Sequence, residues 1–227
     1  MKINLAKSRF PITFDSTTKS KPHFFEIMKQ QFVIIFLVGI LFSCSSRQSV
    51  KTWNKVEILP QLIQQKKGID TLFQQRKGTF LVFAKQEDSL VPVQIFGTDF
   101  PENIATTYNI LKDRSGKIVR ISEMPYSETG DWQIIYNYYF DTLEKTFAFE
   151  KQTDFFNSLC TPGIAHEKET IFYDSNFQKL DSAFSLVDEN YHRLKKDSCD
   201  FPYDYPYKIS SNLSDYLQRN QLNTVQK

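Results

Sequence analysis

The chain has 227 residues, 41% hydrophobic and 15% aromatic, with 21 Phe and 11 Tyr; it has the apolar surface for one packed domain, or two small ones at most, and is not disordered throughout. Seven glycines are too few for a glycine-rich linker, a collagen-like repeat or a phosphate-cradling loop. The formal charge of +2 misleads, because residues 1–43 hold six basic and only two acidic side chains; the remaining 22 basic and 24 acidic residues sit near −2 without a clustered basic stretch, which argues against a nucleic-acid partner.

Residues 1–27 are polar and mixed, with Pro11 and Pro22, and read as an over-extended N-terminus ahead of a true start at Met28. From Phe32 to Phe42 every residue is apolar or Gly. A run of eleven is too short for a membrane-spanning helix, which takes ~20 residues, and fits the ~7–15-residue apolar segment of a secretory signal. Lys29 supplies the positive flank, and small Ser43 precedes Cys44. With Leu41 three residues before the cysteine, this stretch resembles the signal of the bacterial lipoprotein family; Phe42 is bulkier than that family usually has. The resemblance covers about residues 28–46 and does not extend to the mature fold. It implies a signal peptide at 28–43, lipid such as palmitate on Cys44 and a tether at 44–52; residues 53–227 are read separately as a single domain. Ser45, in place of an acidic residue after the cysteine, implies outer-membrane anchorage with the domain facing the periplasm. Buried acyl chains supply such anchorage at ~0.8 kcal/mol per CH₂.

In chain order, Leu59 to Lys67 reads as a short helix with Pro60 in its first turn and Gly68 at its end. Strands are expected at Thr79–Lys85, Val93–Phe96, Lys117–Glu123 and Trp132–Phe140, then around Phe147 and Phe149, and more weakly at Ile171–Tyr173 and Ala183–Val187. In the fourth, Trp132, Ile134, Tyr136, Tyr138 and Phe140 share one face. Between strands recur Asp113–Lys117, Asp141–Lys145, Asp174–Lys179 and Asp188–Arg193, each opened by an Asp able to accept backbone N–H bonds. These turns predict consecutive antiparallel hairpins, too unevenly spaced for a solenoid. Asp154 to Leu159 reads as one helical turn before Pro162-Gly163, and Ser211 to Gln221 as a last helix burying Leu213, Tyr216 and Leu217. The expected class is α+β, mostly β: an antiparallel β-meander with a few short helices.

Chemical motifs are sparse. The Asp-x-Asn turns lack the Gly and distal Glu of a calcium loop. His166-Glu167-Lys168-Glu169 is expected in a solvated loop, since a zinc helix needs a second His where Thr170 stands, and His192 is the only other mature histidine. No nucleophile elbow, P-loop or dinucleotide fingerprint occurs, and pairs such as Glu128 and Asp131 are what any acid-rich chain contains. No catalytic residue, metal or cofactor is therefore assigned. Cys160 and Cys199 are expected to pair in an oxidising compartment, the sharper reading being a catalytic thiol with His166 or His192 as base.

Phe201-Pro-Tyr-Asp-Tyr-Pro-Tyr207 is a stiff aromatic strap. Phe201, Tyr203, Tyr205 and Tyr207 are a candidate contact surface for an envelope protein or glycan, or else a cover for a sheet edge or hydrophobic end. Two functions remain: a non-enzymatic binding or assembly lipoprotein, anchored to the membrane through lipid, and an envelope hydrolase of unrecognised family. A pocket joining histidine to carboxylates favours the hydrolase; an exposed aromatic patch favours the binding protein.

Overall fold

The computed structural model describes residues 55–87, 89–93, 101–201 and 205–226. Helix α1 (Lys55–Gln74) is followed by strands β1 (Thr79–Lys85), β2 (Leu90–Val93), β3 (Thr106–Lys112), β4 (Ile118–Pro125), β5 (Trp132–Phe140), β6 (Thr146–Phe155), β7 (Ala165–Tyr173) and β8 (Lys179–Asp188). A second helix, α2 (Leu213–Arg219), lies near the end, with single 3-10 turns at Lys196–Ser198 and Asn223–Gln226. All eight strands form one antiparallel sheet in the order β2-β1-β3-β4-β5-β6-β7-β8. The fold is α+β, mostly β, with a continuous meander from β3 to β8. Among the described residues no helix is long and apolar enough to cross a membrane.

Four hairpin-closing turns share one geometry. In each, an Asp side chain accepts the N–H groups two and four residues on, at 2.8–3.0 Å, as in Asp113 to Ser115 and Lys117. The Asp carbonyl accepts the N–H three residues on, which places that residue in the left-handed region. Gly116 (φ 83°) takes this without strain, whereas Glu144, Phe177 and Tyr191 (φ 61–63°) do so against their Cβ atoms. The turn is a type I turn closed by a bulge, and a second irregularity follows in the returning strand, where Val119, Phe147 and Leu180 are the extra residues of the register shifts at Leu111/Lys112, Tyr139/Phe140 and Phe172/Tyr173. A different constraint acts at Gly78, where a Cβ would meet the Lys112 carbonyl at 2.6 Å as the chain leaves α1 for β1.

Both faces of the sheet are covered in part, so strict alternation of apolar and polar residues breaks down in its centre. One rung runs Leu81, Ile110, Ile121, Tyr138, Phe149, Ile171, Ser182 on the first face. The chain after β8 returns across this face, and α2 seats Leu213, Tyr216 and Leu217 on it. The neighbouring rung, Phe80, Leu111, Arg120, Tyr139, Ala148, Phe172, Asp181, belongs to the second face. Helix α1 crosses there with Leu59, Leu62, Ile69, Leu72 and Phe73.

Several expectations are corrected. α1 runs through Gly68, because Ile69, Leu72 and Phe73 pack beyond it and outweigh the ~1 kcal/mol propensity penalty of an exposed glycine. Because α1 begins at Lys55, Pro60 lies inside the helix rather than in its first turn. β3, with no counterpart in the sequence reading, pairs β1 with β4. Asp154 is a ladder residue of β6 facing His166, not a helix cap. His166-Glu167-Lys168-Glu169 lies in β7, not in a solvated loop, since ion pairs with neighbouring elements meet its charges. β2 covers Leu90–Val93 and shares only Val93 with the expected strand at Val93–Phe96; residues 94–96 lie outside the described residues.

Candidate functional site

The aromatic strap follows the disulfide. Cys160 and Cys199 are bonded, their Cα atoms 4.6 Å apart, so neither is a free thiol. Phe201 stacks on Phe155 at 4.1 Å between ring centroids. The Tyr136 hydroxyl donates to the Tyr205 carbonyl at 2.7 Å, and the Tyr138 hydroxyl to the Lys208 carbonyl at 3.2 Å. Two buried tyrosines of β5 thereby hold the strap by its backbone. Its rings serve differently: Tyr207 stacks on Phe149 and lies 4.7 Å from the Tyr136 ring, while Tyr205 approaches Trp132 at 6.1 Å. Tyr205 and Tyr207 nevertheless stay 37% and 38% exposed. The strap thus crosses the sheet face and leaves Tyr205 and Tyr207 partly open to solvent; Tyr203 lies outside the described residues.

Beside the strap, Tyr216 donates to Glu123 at 2.8 Å. Burial raises the Glu123 carboxyl, against the Tyr216 hydrogen bond, Arg219 and Lys85. Burial likewise pushes the Tyr108, Tyr138 and Tyr216 hydroxyls up, with Glu123 adding to it. These hydroxyls stay protonated and act as donors and spacers, not as bases.

Under α1 lies a buried polar network. Lys66 bridges Asp70 (2.9 Å) and Glu150 (2.7 Å), and Glu150 also meets Lys168 at 3.0 Å. Asp70 accepts from Arg120 at 3.2 Å and from the Tyr139 hydroxyl at 2.8 Å. Asn137 takes hydrogen bonds from Arg120 and Ser122 at 2.9 and 2.7 Å. Burial works to raise the Glu150 carboxyl, but Lys66 and Lys168 outweigh it and hold it below the usual carboxylate range. The arrangement fixes α1 to the sheet in one register.

Where α1 ends, an open groove of about 1040 Å³ remains on the same face. Phe73, Phe80, Val82, Met124 and Trp132 line it, with Tyr126 and Phe156 on the rim at 59% and 42% exposure. Its polar lining includes Asn109, Thr107, Gln133, Ser127 and Arg76. These groups carry hydrogen-bond donors and acceptors; among the described lining residues none is a carboxylate or histidine. One strand away, Asp154 pairs in register with Gln133 on one side and His166 on the other. His166 Nδ1 donates to Asp154 Oδ1 at 2.6 Å. This histidine–carboxylate pair borders the groove but does not line it.

The other candidates are dispersed. His192 meets Asp188 at 3.2 Å inside its own turn. Asp113, Asp141, Asp174 and Asp188 spend carboxylate oxygens on backbone amides, and Asp131 accepts from Asn157 at 2.9 Å. Among the described residues no group of three or more metal-ligating side chains converges. Cys44 lies outside the described residues. The groove escaped sequence reasoning because its lining comes from α1, five strands and four loops, each residue individually an ordinary core or loop side chain. The network left one trace, the polar Asn137 and Glu150 within apolar strands. No family model, curated protein or solved structure matches the chain.

Proposed function

We propose that this protein is an envelope lipoprotein, anchored to the outer membrane by lipid on Cys44, whose periplasm-facing domain is a non-enzymatic binding or assembly component. The observation that carries the binding role is the aromatic-rimmed groove, in which the described lining offers contact area, amides, hydroxyls and the Arg76 guanidinium but no carboxylate or histidine. The half-exposed rings of Tyr205 and Tyr207 add a second contact surface on the opposite face, suited to an envelope protein or glycan. Anchorage is supported by the apolar run ending at Ser43-Cys44, and export by the Cys160–Cys199 disulfide, a bond of oxidising compartments.

Separation of inner and outer membranes on a density gradient, with protease added to intact cells, tests placement. The reading expects the protein in the outer-membrane fraction and protected in intact cells; a soluble or inner-membrane protein contradicts it. One observation favours a second reading, a hydrolase: His166 and Asp154 form a pair able to act as a general base beside the groove. If His166→Ala abolishes hydrolysis of an envelope ester or amide substrate without loss of folding, the hydrolase replaces the binding protein.

A further inference from the structure

Three side chains in the groove keep hydrogen-bonding capacity that the fold does not use. Among the described residues the Asn109 and Gln133 carboxamides and the Thr107 hydroxyl make no hydrogen bond. Each carboxamide offers two donors and an acceptor. Thr107 and Asn109 are two residues apart on β3, so both point to the groove side, about 7 Å from one another. The floor beside them is apolar: Phe80 and Val82 of β1 flank β3 on one side, and Met124 of β4 on the other. The lining runs from Gly78, where β1 begins, to Ser127, past the end of β4. Those positions stand at opposite ends of β3, which is about 20 Å long.

Granted that the groove is this protein's binding site, we propose that it holds the C-terminal tail of another envelope protein, about six residues long, extended and rich in apolar side chains. An extended peptide turns N–H and C=O groups to one side at every second residue, about 7 Å apart, which is the spacing of Thr107 and Asn109. Its side chains then project sideways, alternately toward the apolar groups of β1 and those of β4. A glycan carries several hydroxyls on every ring, more than three open polar side chains satisfy along the groove. An acyl chain errs the other way, leaving both carboxamides and the hydroxyl unpaired against hydrocarbon.

Charge sets the direction of the tail. Arg76 and Lys77 precede β1 at one end of the groove, and their full charges outweigh the partial negative charge of the α1 C-terminus, about half a unit. Glu128 and Asp131 lie at the other end, in the link from β4 to β5. The α1–β1 link also packs closely on the end of β3, since a Cβ at Gly78 would meet the Lys112 carbonyl at 2.6 Å, and this closes the groove to a chain passing through. A terminal carboxylate is therefore placed at the Arg76 end, and the rest of the tail leaves over the rim at Tyr126. No carboxylate in the described lining opposes it.

The test pans a phage library of random hexapeptides with free C-termini on the full chain carrying Cys44→Ser, which keeps lipid out of the assay. Enrichment of apolar sequences is expected, and the most enriched peptide, labelled with fluorescein at its N-terminus, is titrated by fluorescence polarisation. Asn109→Leu is expected to weaken its binding about tenfold, and the near-isosteric Thr107→Val about threefold, with melting curves to check that both fold. Amidating the C-terminus of the peptide is expected to weaken binding about threefold. No enrichment over an unrelated protein, an amidated peptide that binds equally well, or binding unchanged in the folded variants overturns the proposal. Unchanged binding in the variants removes the groove as the binding site as well. A tetrasaccharide of N-acetylglucosamine, titrated in parallel, separates the remaining case. If it binds and Asn109→Leu weakens it while no peptide is enriched, the peptide tail is overturned and the groove stands as a glycan site.

Discussion

Replacing Glu150 with Gln removes the charge at the centre of the network that fixes α1. The side chain is 2% exposed and receives Lys66 at 2.7 Å, Lys168 at 3.0 Å, the Gln152 amide at 2.6 Å and the Thr170 hydroxyl at 3.1 Å. Breaking a buried ion pair from one side costs ~3–5 kcal/mol. Here Lys66 keeps Asp70 at 2.9 Å, and Lys168, 48% exposed, regains water, so the low end applies: about 3 kcal/mol. For a domain of this size that corresponds to a fall in Tm of roughly 6–12 °C. The effect depends on pH in a defined direction. The folded carboxyl is held below its ordinary value of 4.5, so its stabilisation is complete above that value and is lost as pH falls through the lowered folded value. Urea denaturation of wild type and Glu150→Gln at pH 7, and at intervals down to pH 3, measures both quantities. A loss below about 1 kcal/mol at pH 7, or a gap that stays constant into acid, refutes the reasoning on the scale of buried pairs.

Tyr191 holds a left-handed conformation while 84% exposed, so Tyr191→Gly is expected to raise stability by about 1 kcal/mol, measured by urea titration; a decrease contradicts the turn geometry. Reducing the Cys160–Cys199 bond, which spans 39 residues of sequence, is expected to cost about 4 kcal/mol in the chain-entropy model, read as the Tm difference with and without reductant. Tyr207→Ala is expected to lose ~1–3 kcal/mol with its two ring contacts, whereas Tyr205→Ala loses less, because the backbone carbonyl that Tyr136 bonds remains. Binding of an envelope glycan that disappears in both variants while they stay folded assigns the strap a contact role; loss that tracks melting assigns it a structural one.

Four turns were legible because side-chain chemistry dictates them: Asp113, Asp141, Asp174 and Asp188 each open a turn with a carboxylate that binds the amides that follow, whereas β3 and the β4–β5 and β6–β7 links carry no such signal. Less legible was the left-handed position, since Glu144, Phe177 and Tyr191 carry no preference for it; the bulge geometry imposes it. The apolar alternation from Trp132 to Phe140 identified one face correctly, yet Asn137 and Tyr139 on the other face are fully buried as well. α1 covers them, and that covering is a tertiary fact which the strand itself does not carry. The His166 stretch was misread because charged residues look solvated until their partners across the ladder are known, and Asp154 because an Asp ahead of an apolar pair reads as a helix cap until its pairing with His166 is seen. The strap was visible as composition, but its crossing of the sheet face depends on Tyr136 and Tyr138, some seventy residues earlier.

Metabolic labelling with a fatty acid tests the anchorage claim most directly, in cells expressing either the wild-type chain or Cys44→Ala. The account predicts label in the wild-type protein, none in the variant, and loss of the variant from the membrane fraction. Equal labelling of both, or no labelling of the wild type, contradicts it.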